Sequence, residues 1–439
     1  MKRTILIAAL LVGCLSSCDK LGISFVKDPI KVSSPQPSEQ LTKVSLTAEE
    51  ASLVNSGNAL TFNLLPLLQQ GEQSFVFSPL SLQYALGMTA NGASGETLEE
   101  IVKALGFGTD IDALNSLCNK LLNELPALDL NVKLKLADAI LVNDLYPLMP
   151  SFKEMVESTY YAAVENMSFD EPARVAARIN DWASRNTNGL IDKMLDPGDI
   201  SSDAIAFLMN ALYFKAPWVT EGDDPLFLEE GTSNETFYPG GCTVFEVPTM
   251  HASRWFKYVD KGDFRVLEIP YANGKFAMYI ILPEGEYIGD QPENVSPMYT
   301  FSSLMKDFPS LDWKEIRSGM KSRKVILSLP KFETSSSYRL NDALGKLGMQ
   351  RAFTAAAQFD RMFASTAVQA FIDFVIQKAR ISVTEWGTEA AAVTVVGMKD
   401  AAAFDPDPPV EFVCDHPFAY LIAERSTGAI LFAGAYGGN

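Results

Sequence analysis

The alternation of apolar and polar residues divides most of the chain into short strands and amphipathic helices. Residues 131–143, Asn-Val-Lys-Leu-Lys-Leu-Ala-Asp-Ala-Ile-Leu-Val-Asn, repeat with period two and predict a strand. Arg265 to Pro283 holds two such runs around Asn273-Gly274, a pair suited to a tight hairpin turn. Further strands are expected at 75–77, 207–218, 325–332, 417–424 and 429–434. Thr47 with Glu50 spells a capping box and predicts a helix through Leu68. Ser78-Pro79 opens a second helix. Helical spacing recurs over 152–161, over 175–187 before Asn188-Gly189, and over 340–347 before Gly348. No interior linker follows residue 45, so one large α+β domain is expected over 46–439.

One stretch breaks the usual order of strand and loop. Ala379, Ile381 and Val383 alternate with Lys378, Arg380, Ser382 and Thr384, as a half-buried strand should. Polar loop should follow the turn signal Gly387. Instead Thr388, Ala390, Ala392, Thr394, Val396 and Met398 are small or apolar and uncharged. The charges Glu389 and Lys399 both fall on the opposite parity. A second strand is thus written into a connection that runs on into Asp405-Pro-Asp-Pro-Pro409, which is loop chemistry. A buried-strand pattern placed in a long exposed connection is the pattern of a switch element.

Composition narrows the chemistry. With 439 residues, 47% of them hydrophobic, the chain can bury a large core. A net charge of −18 argues against nucleic acid and other polyanions as partners. Ser78, Ser94 and Ser426 lie outside any Gly-x-Ser-x-Gly elbow. Cys118, Cys242 and Cys414 have no metal or redox spacing, and His251 and His416 are the only histidines. No enzyme activity, metal or cofactor is expected. At the start, Met1-Lys-Arg-Thr4 and the apolar run from Ile5 form a secretory signal. Leu15-Ser-Ser-Cys18 resembles the bacterial lipoprotein box, which implies a lipidated Cys18. Leu11-Val-Gly-Cys14 fits the same box, but the apolar run continues past Cys14. The expected layout is a signal over 1–17, a flexible tether over 18–45 and then the domain.

Glu385-Trp-Gly-Thr-Glu-Ala-Ala-Ala-Val-Thr394 resembles the hinge of the reactive loop of serpins. Phe75-Val-Phe-Ser-Pro-Leu-Ser-Leu82, Phe207 to Trp218, the 265–283 hairpin and the C-terminal strands resemble the same family in consistent order. The resemblance implies a serpin fold, with mixed and antiparallel sheets, surrounding helices and an exposed reactive-centre loop at about 387–411. It implies hinge roles for Glu385, Gly387, Thr388, Ala390, Ala392 and Thr394. It implies sheet-opening roles for Ser78, Ser81, Asn210, Trp218 and Gln377. Asn210, alone in an apolar run, needs a hydrogen-bond partner, and the helix start at Ser81 is suited to supply it. Two residues depart from the family: Trp386 follows the hinge glutamate, and Gln377 stands where a histidine is common.

The function so implied is suicide inhibition of serine, and by extension cysteine, endopeptidases. The family's spacing from Glu385 puts the scissile bond at Ala401–Ala402, which suits elastase-like or subtilisin-like proteases. Lys399–Asp400 and Phe404 are the alternatives. The competing reading is a non-inhibitory serpin-fold binding protein, cleaved as a substrate. A monomer is expected, exported and held at a bacterial membrane by its N-terminal lipid.

Overall fold

A computed structural model describes residues 40–71, 73–106, 110–201, 204–222, 224–239, 244–285, 300–365, 369–388 and 408–438. In chain order the elements are α1 (Ala48–Leu68), β1 (Phe75–Phe77), α2 (Pro79–Gly92), α3 (Gly95–Leu105), α4 (Ile111–Glu124), β2 (Lys133–Asn143), α5 (Pro150–Thr159), β3 (Ala163–Met167) and α6 (Pro172–Asn186). There follow β4 (Ala206–Pro217), β5 (Ser233–Phe237), β6 (Phe245–Asp260), β7 (Phe264–Pro270), β8 (Phe276–Pro283), α7 (Phe301–Asp307), α8 (Trp313–Gly319), β9 (Lys321–Pro330), β10 (Phe332–Arg339) and α9 (Asn341–Lys346). The last are β11 (Ile376–Thr384), β12 (Gly387–Thr388), β13 (Val410–Val413), β14 (Phe418–Glu424) and β15 (Ile430–Tyr436).

The helix signals act as physics requires. The Glu50 N–H donates to Thr47 Oγ1 at 3.1 Å and the Thr47 N–H to Glu50 Oε2 at 2.7 Å, closing the capping box of α1. Ser78 caps α2, whose first position is Pro79, where a missing N–H costs nothing. Asn188 and Gly189, at φ 54° and 81°, follow α6.

The strands form two sheets. Sheet A has the order β10-β11-β12-β4-β2-β3. Sheet B runs β1-β15-β14-β8-β7-β6-β9-β13, with β5 on β6. β8, β14 and β15 are buried along their whole length, which explains their continuous apolar runs. In sheet A, successive residues of β2 and β4 face two different cores. Leu134, Leu136, Ile140, Leu212 and Phe214 face the main core with α2. Ala137, Ala139, Leu141, Met209 and Ala211 pack with Val175, Ile179 and Trp182 of α6.

The N-terminal boundary differs from the expected one. Residues 40–45, assigned to the tether, already dock on the body. The Leu41 N–H donates to Ala127 O at 2.7 Å, Lys275 Nζ to Thr42 O at 2.7 Å, and Val44 is buried. The expected signal over 1–17, Cys14, Cys18 and the rest of the expected tether lie outside the described residues, as does Cys242.

Candidate functional site

The hinge begins where β11 ends. Glu385 and Trp386 make the turn, and Gly387-Thr388 fold back as β12 between β11 and β4. Thr388 stands opposite Val383 on one side and Ala216 on the other. Gly387 has φ 138°, and a Cβ there would overlap the Ala216 carbonyl and sit 2.7 Å from Pro217 Cα. Only glycine fits both the backbone conformation and the space. Ala390, Ala392, Thr394, Lys399, Asp400, Ala401, Ala402 and Phe404 lie outside the described residues.

Side-chain contacts from several elements fix the turn. Glu385, 4% exposed, accepts from Thr232 Oγ1 at 2.9 Å and pairs with Lys331 Nζ at 2.9 Å. Burial alone would raise its carboxyl. Its own backbone N–H, Lys331 and Thr232 outweigh that and hold it below the usual carboxylate range. The Trp386 indole, on the surface, donates to Glu229 Oε1 at 3.0 Å. Trp218 donates from Nε1 to Thr384 O at 2.8 Å and from its backbone to Trp386 O at 3.2 Å. Buried Thr388 shares a 2.5 Å hydrogen bond with the Tyr271 hydroxyl. The Tyr271 ring stacks on Trp218 at 4.5 Å and 8°. Burial pushes the Tyr271 phenol up, so it stays neutral.

Below the hinge lies the sheet centre. Gln377 Oε1 accepts from Ser78 N at 3.0 Å, and Gln377 Nε2 donates to Ser78 O at 2.8 Å. This two-way bond joins β11 to the start of α2. Across the sheet, Ser81 Oγ donates to Asn210 Oδ1. Asn210 Nδ2 donates to Asp138 Oδ1 at 2.7 Å. Among the described residues β4 and β11 share no ladder, and β12 alone bridges them. At the level of Asn210 and Gln377 the structure holds a cavity of ≈ 450 Å³. It is lined by apolar side chains including Phe207, Met209, Phe374 and Ile376.

The structure thus brings Glu385, Gly387, Thr388 and Trp218 together at one end of sheet A, and Ser78, Ser81, Asn210 and Gln377 at its centre. Tyr271, Glu229, Thr232 and Lys331 were not expected, because they come from distant parts of the chain and carry no local signal. Asp138 did leave one. It is the single charge on the inward parity of β2, among Leu134, Leu136, Ile140 and Val142. The residues set aside as nucleophiles sit in structural roles. His416 bonds Asp415 and the Pro283 carbonyl, at 2.7 and 2.9 Å. Burial raises the thiols of Cys118 and Cys414.

Comparison with known proteins agrees with this geometry. A family model described as Serpin (serine protease inhibitor) matches residues 55–437. A serpin-like protein of Thermococcus kodakarensis is 32% identical, with 99% of this chain and 98% of the relative covered. The solved structure of cleaved Serpin 42Da superposes with a TM-score of 0.75 at 28% identity, covering 89% of this chain and 98% of that one. Tengpin, a thermophilic serpin in its native state, superposes with a TM-score of 0.75 at 26% identity, covering 92% and 98%.

Proposed function

This chain belongs to the serpin family of protease inhibitors, and on that premise we propose that it traps a serine endopeptidase as a covalent acyl-enzyme. The protease attacks the loop at Ala401–Ala402 and becomes an ester of the new C-terminus. Before water reaches that ester, the cleaved loop zips into sheet A behind Thr388. About 13 residues at roughly 3.3 Å each carry the protease on the order of 40 Å. Its catalytic groups are pulled out of register, and a displacement of even ~1 Å can cost ~100-fold in rate.

The observation that carries this reading is the seat of Thr388. It is already between β11 and β4 with its side chain buried against Tyr271. Continuing the register puts Thr394 between Asn210 and Gln377, beside the cavity. Ala390, Ala392, Val396 and Met398 share the inward parity, and none carries a charge that insertion would have to bury. Burial of Val396 and Met398 would contribute roughly 1.5–3 kcal/mol each. Small residues around the bond favour elastase-like or subtilisin-like targets.

The soluble domain is to be mixed with an elastase, a subtilisin, a trypsin and a chymotrypsin. A boiling-resistant band at the summed mass, with a released peptide beginning at Ala402, is the expected result. Cleavage in the loop without such a band for any of them removes the inhibitor and leaves a substrate-like binding protein. We further propose that the molecule is a monomeric lipoprotein anchored through Cys18. Cys18→Ala should release it from the membrane fraction, whereas Cys14→Ala should not.

A further inference from the structure

Asp138 is 1% exposed and stands directly opposite Asn210 in the β2–β4 ladder. Its Oδ1 accepts from Asn210 Nδ2, while Oδ2 is buried without a hydrogen-bond partner. Three titratable side chains interact with it from the elements packed on that face: Tyr84 from α2, Cys118 from α4 and Tyr160 after α5. None of the three is a cation at neutral pH, and the Tyr84 hydroxyl is itself buried and unpartnered. Asn210 Oδ1 in turn accepts from Ser81 Oγ. One amide therefore links β2, β4 and α2 where the register brings in Thr394.

We infer that Asp138 is a positioning residue for the sheet centre: its carboxylate orients the Asn210 amide, and its change of charge makes the stability of sheet A respond to pH. The consequence for loop insertion rests on the inhibitory reading; the pH response of the sheet does not.

The physics gives the sign. An ionised carboxylate in this apolar site has one donor and no cation, so its charged form is disfavoured. Burial pushes the carboxyl up to about 7, with Asn210 opposing. The folded chain holds a proton that the unfolded chain releases in the ordinary carboxylate range. Stability is therefore highest below that range, falls as pH rises towards the folded value, and levels off above it. Ionisation also strengthens the grip on Asn210, because a charge-assisted bond is stronger than a neutral one. Above neutrality the amide is better oriented, within a less stable starting sheet. Only the first favours insertion, because Asp138 stays buried between β2 and β4 in both the starting and the inserted sheet.

Asp138→Asn keeps the shape and the acceptor for Asn210 but cannot ionise. Wild type should show a urea midpoint that falls between about pH 4 and pH 7 and levels off above that, with this component absent in D138N. The infrared C=O band of a buried carboxylic acid in wild type should persist through the acid range and vanish around pH 7, a measurement that needs no variant to fold. Covalent trapping by wild type, divided by that of D138N to cancel the protease's own pH profile, should rise with pH. Parallel stability profiles for the two proteins, or no protonated-acid band, would overturn the inference. Divergent stability profiles with no trapping by either protein would remove the inhibitory reading and the insertion role, and leave the pH response of the sheet standing.

Discussion

At the scale of single residues, the hinge is decided by what fits beside Ala216. Gly387→Ala puts a methyl group into the Ala216 carbonyl and forces φ 138° on a residue that resists it. Strain of roughly 1–3 kcal/mol at the start of insertion lowers its rate about ten- to hundredfold. The variant should be cleaved normally yet yield little covalent complex on a denaturing gel. Thr388→Arg should do the same for another reason, since it would bury a charge beside neutral Tyr271 and Trp218. Glu385 makes a pH-dependent contribution of the opposite sign to Asp138. Its folded value lies below the usual carboxylate range. Its stabilisation is present above that range and lost as pH falls through the folded value. Lys331 is partly exposed, so the pair is worth no more than about 1 kcal/mol. Urea unfolding of wild type and Glu385→Gln should differ by that much at neutral pH and converge in acid.

At the scale of elements, most of the strands and helices could be read from the chain. Period-two runs marked β2, β7 and β11, the Asn273-Gly274 turn marked the β7–β8 hairpin, and local caps marked α1 and α2, because those signals depend on neighbours within a few residues, whereas β4 was expected from the resemblance. Thr47→Ala should cost about 1 kcal/mol of unfolding free energy through the lost cap. What the chain could not display is pairing across distance. The Tyr271–Thr388 bond spans 117 residues and the Asp138–Asn210 bond 72, so no local pattern announces either. The N-terminal boundary was missed for the same reason. Residues 40–45 have no periodicity, and they are held by backbone groups and Lys275, whose positions only the fold defines. The charge-free parity from Thr388 is a property of sequence alone, and of its positions the structure describes only Thr388, buried in β12. The docking partners of the hinge at Glu229, Thr232 and Lys331 were not legible there.

At the scale of the whole molecule, sheet A is a sheet with room for another strand. Among the described residues its strands β4 and β11 are bridged by two residues, with a cavity below them. Cleavage of the loop by a protease that is not trapped should therefore raise the melting temperature markedly, because insertion adds a ladder on both sides and fills apolar space. Calorimetry before and after cleavage tests this. The net charge of −18 makes a second prediction at this scale. Sulfated polyanions should not accelerate inhibition, since they gain nothing from a strongly acidic surface at physiological salt.

The docked N-terminal segment fixes a direction. Lys275 holds Thr42, and four residues earlier the same turn presents Tyr271 to the hinge. Thr42 and Thr388 are therefore both held by the one turn that runs from Tyr271 to Lys275. Were the molecule moored through Cys18 as proposed, that turn would lie on the side nearest the tether, so a protease would be met close to the lipid surface. Zipping of the loop would then swing the captive to the opposite pole and lift it away from whatever it had been cutting there. Mooring and bait on opposite poles would have pressed the captured enzyme back against the membrane.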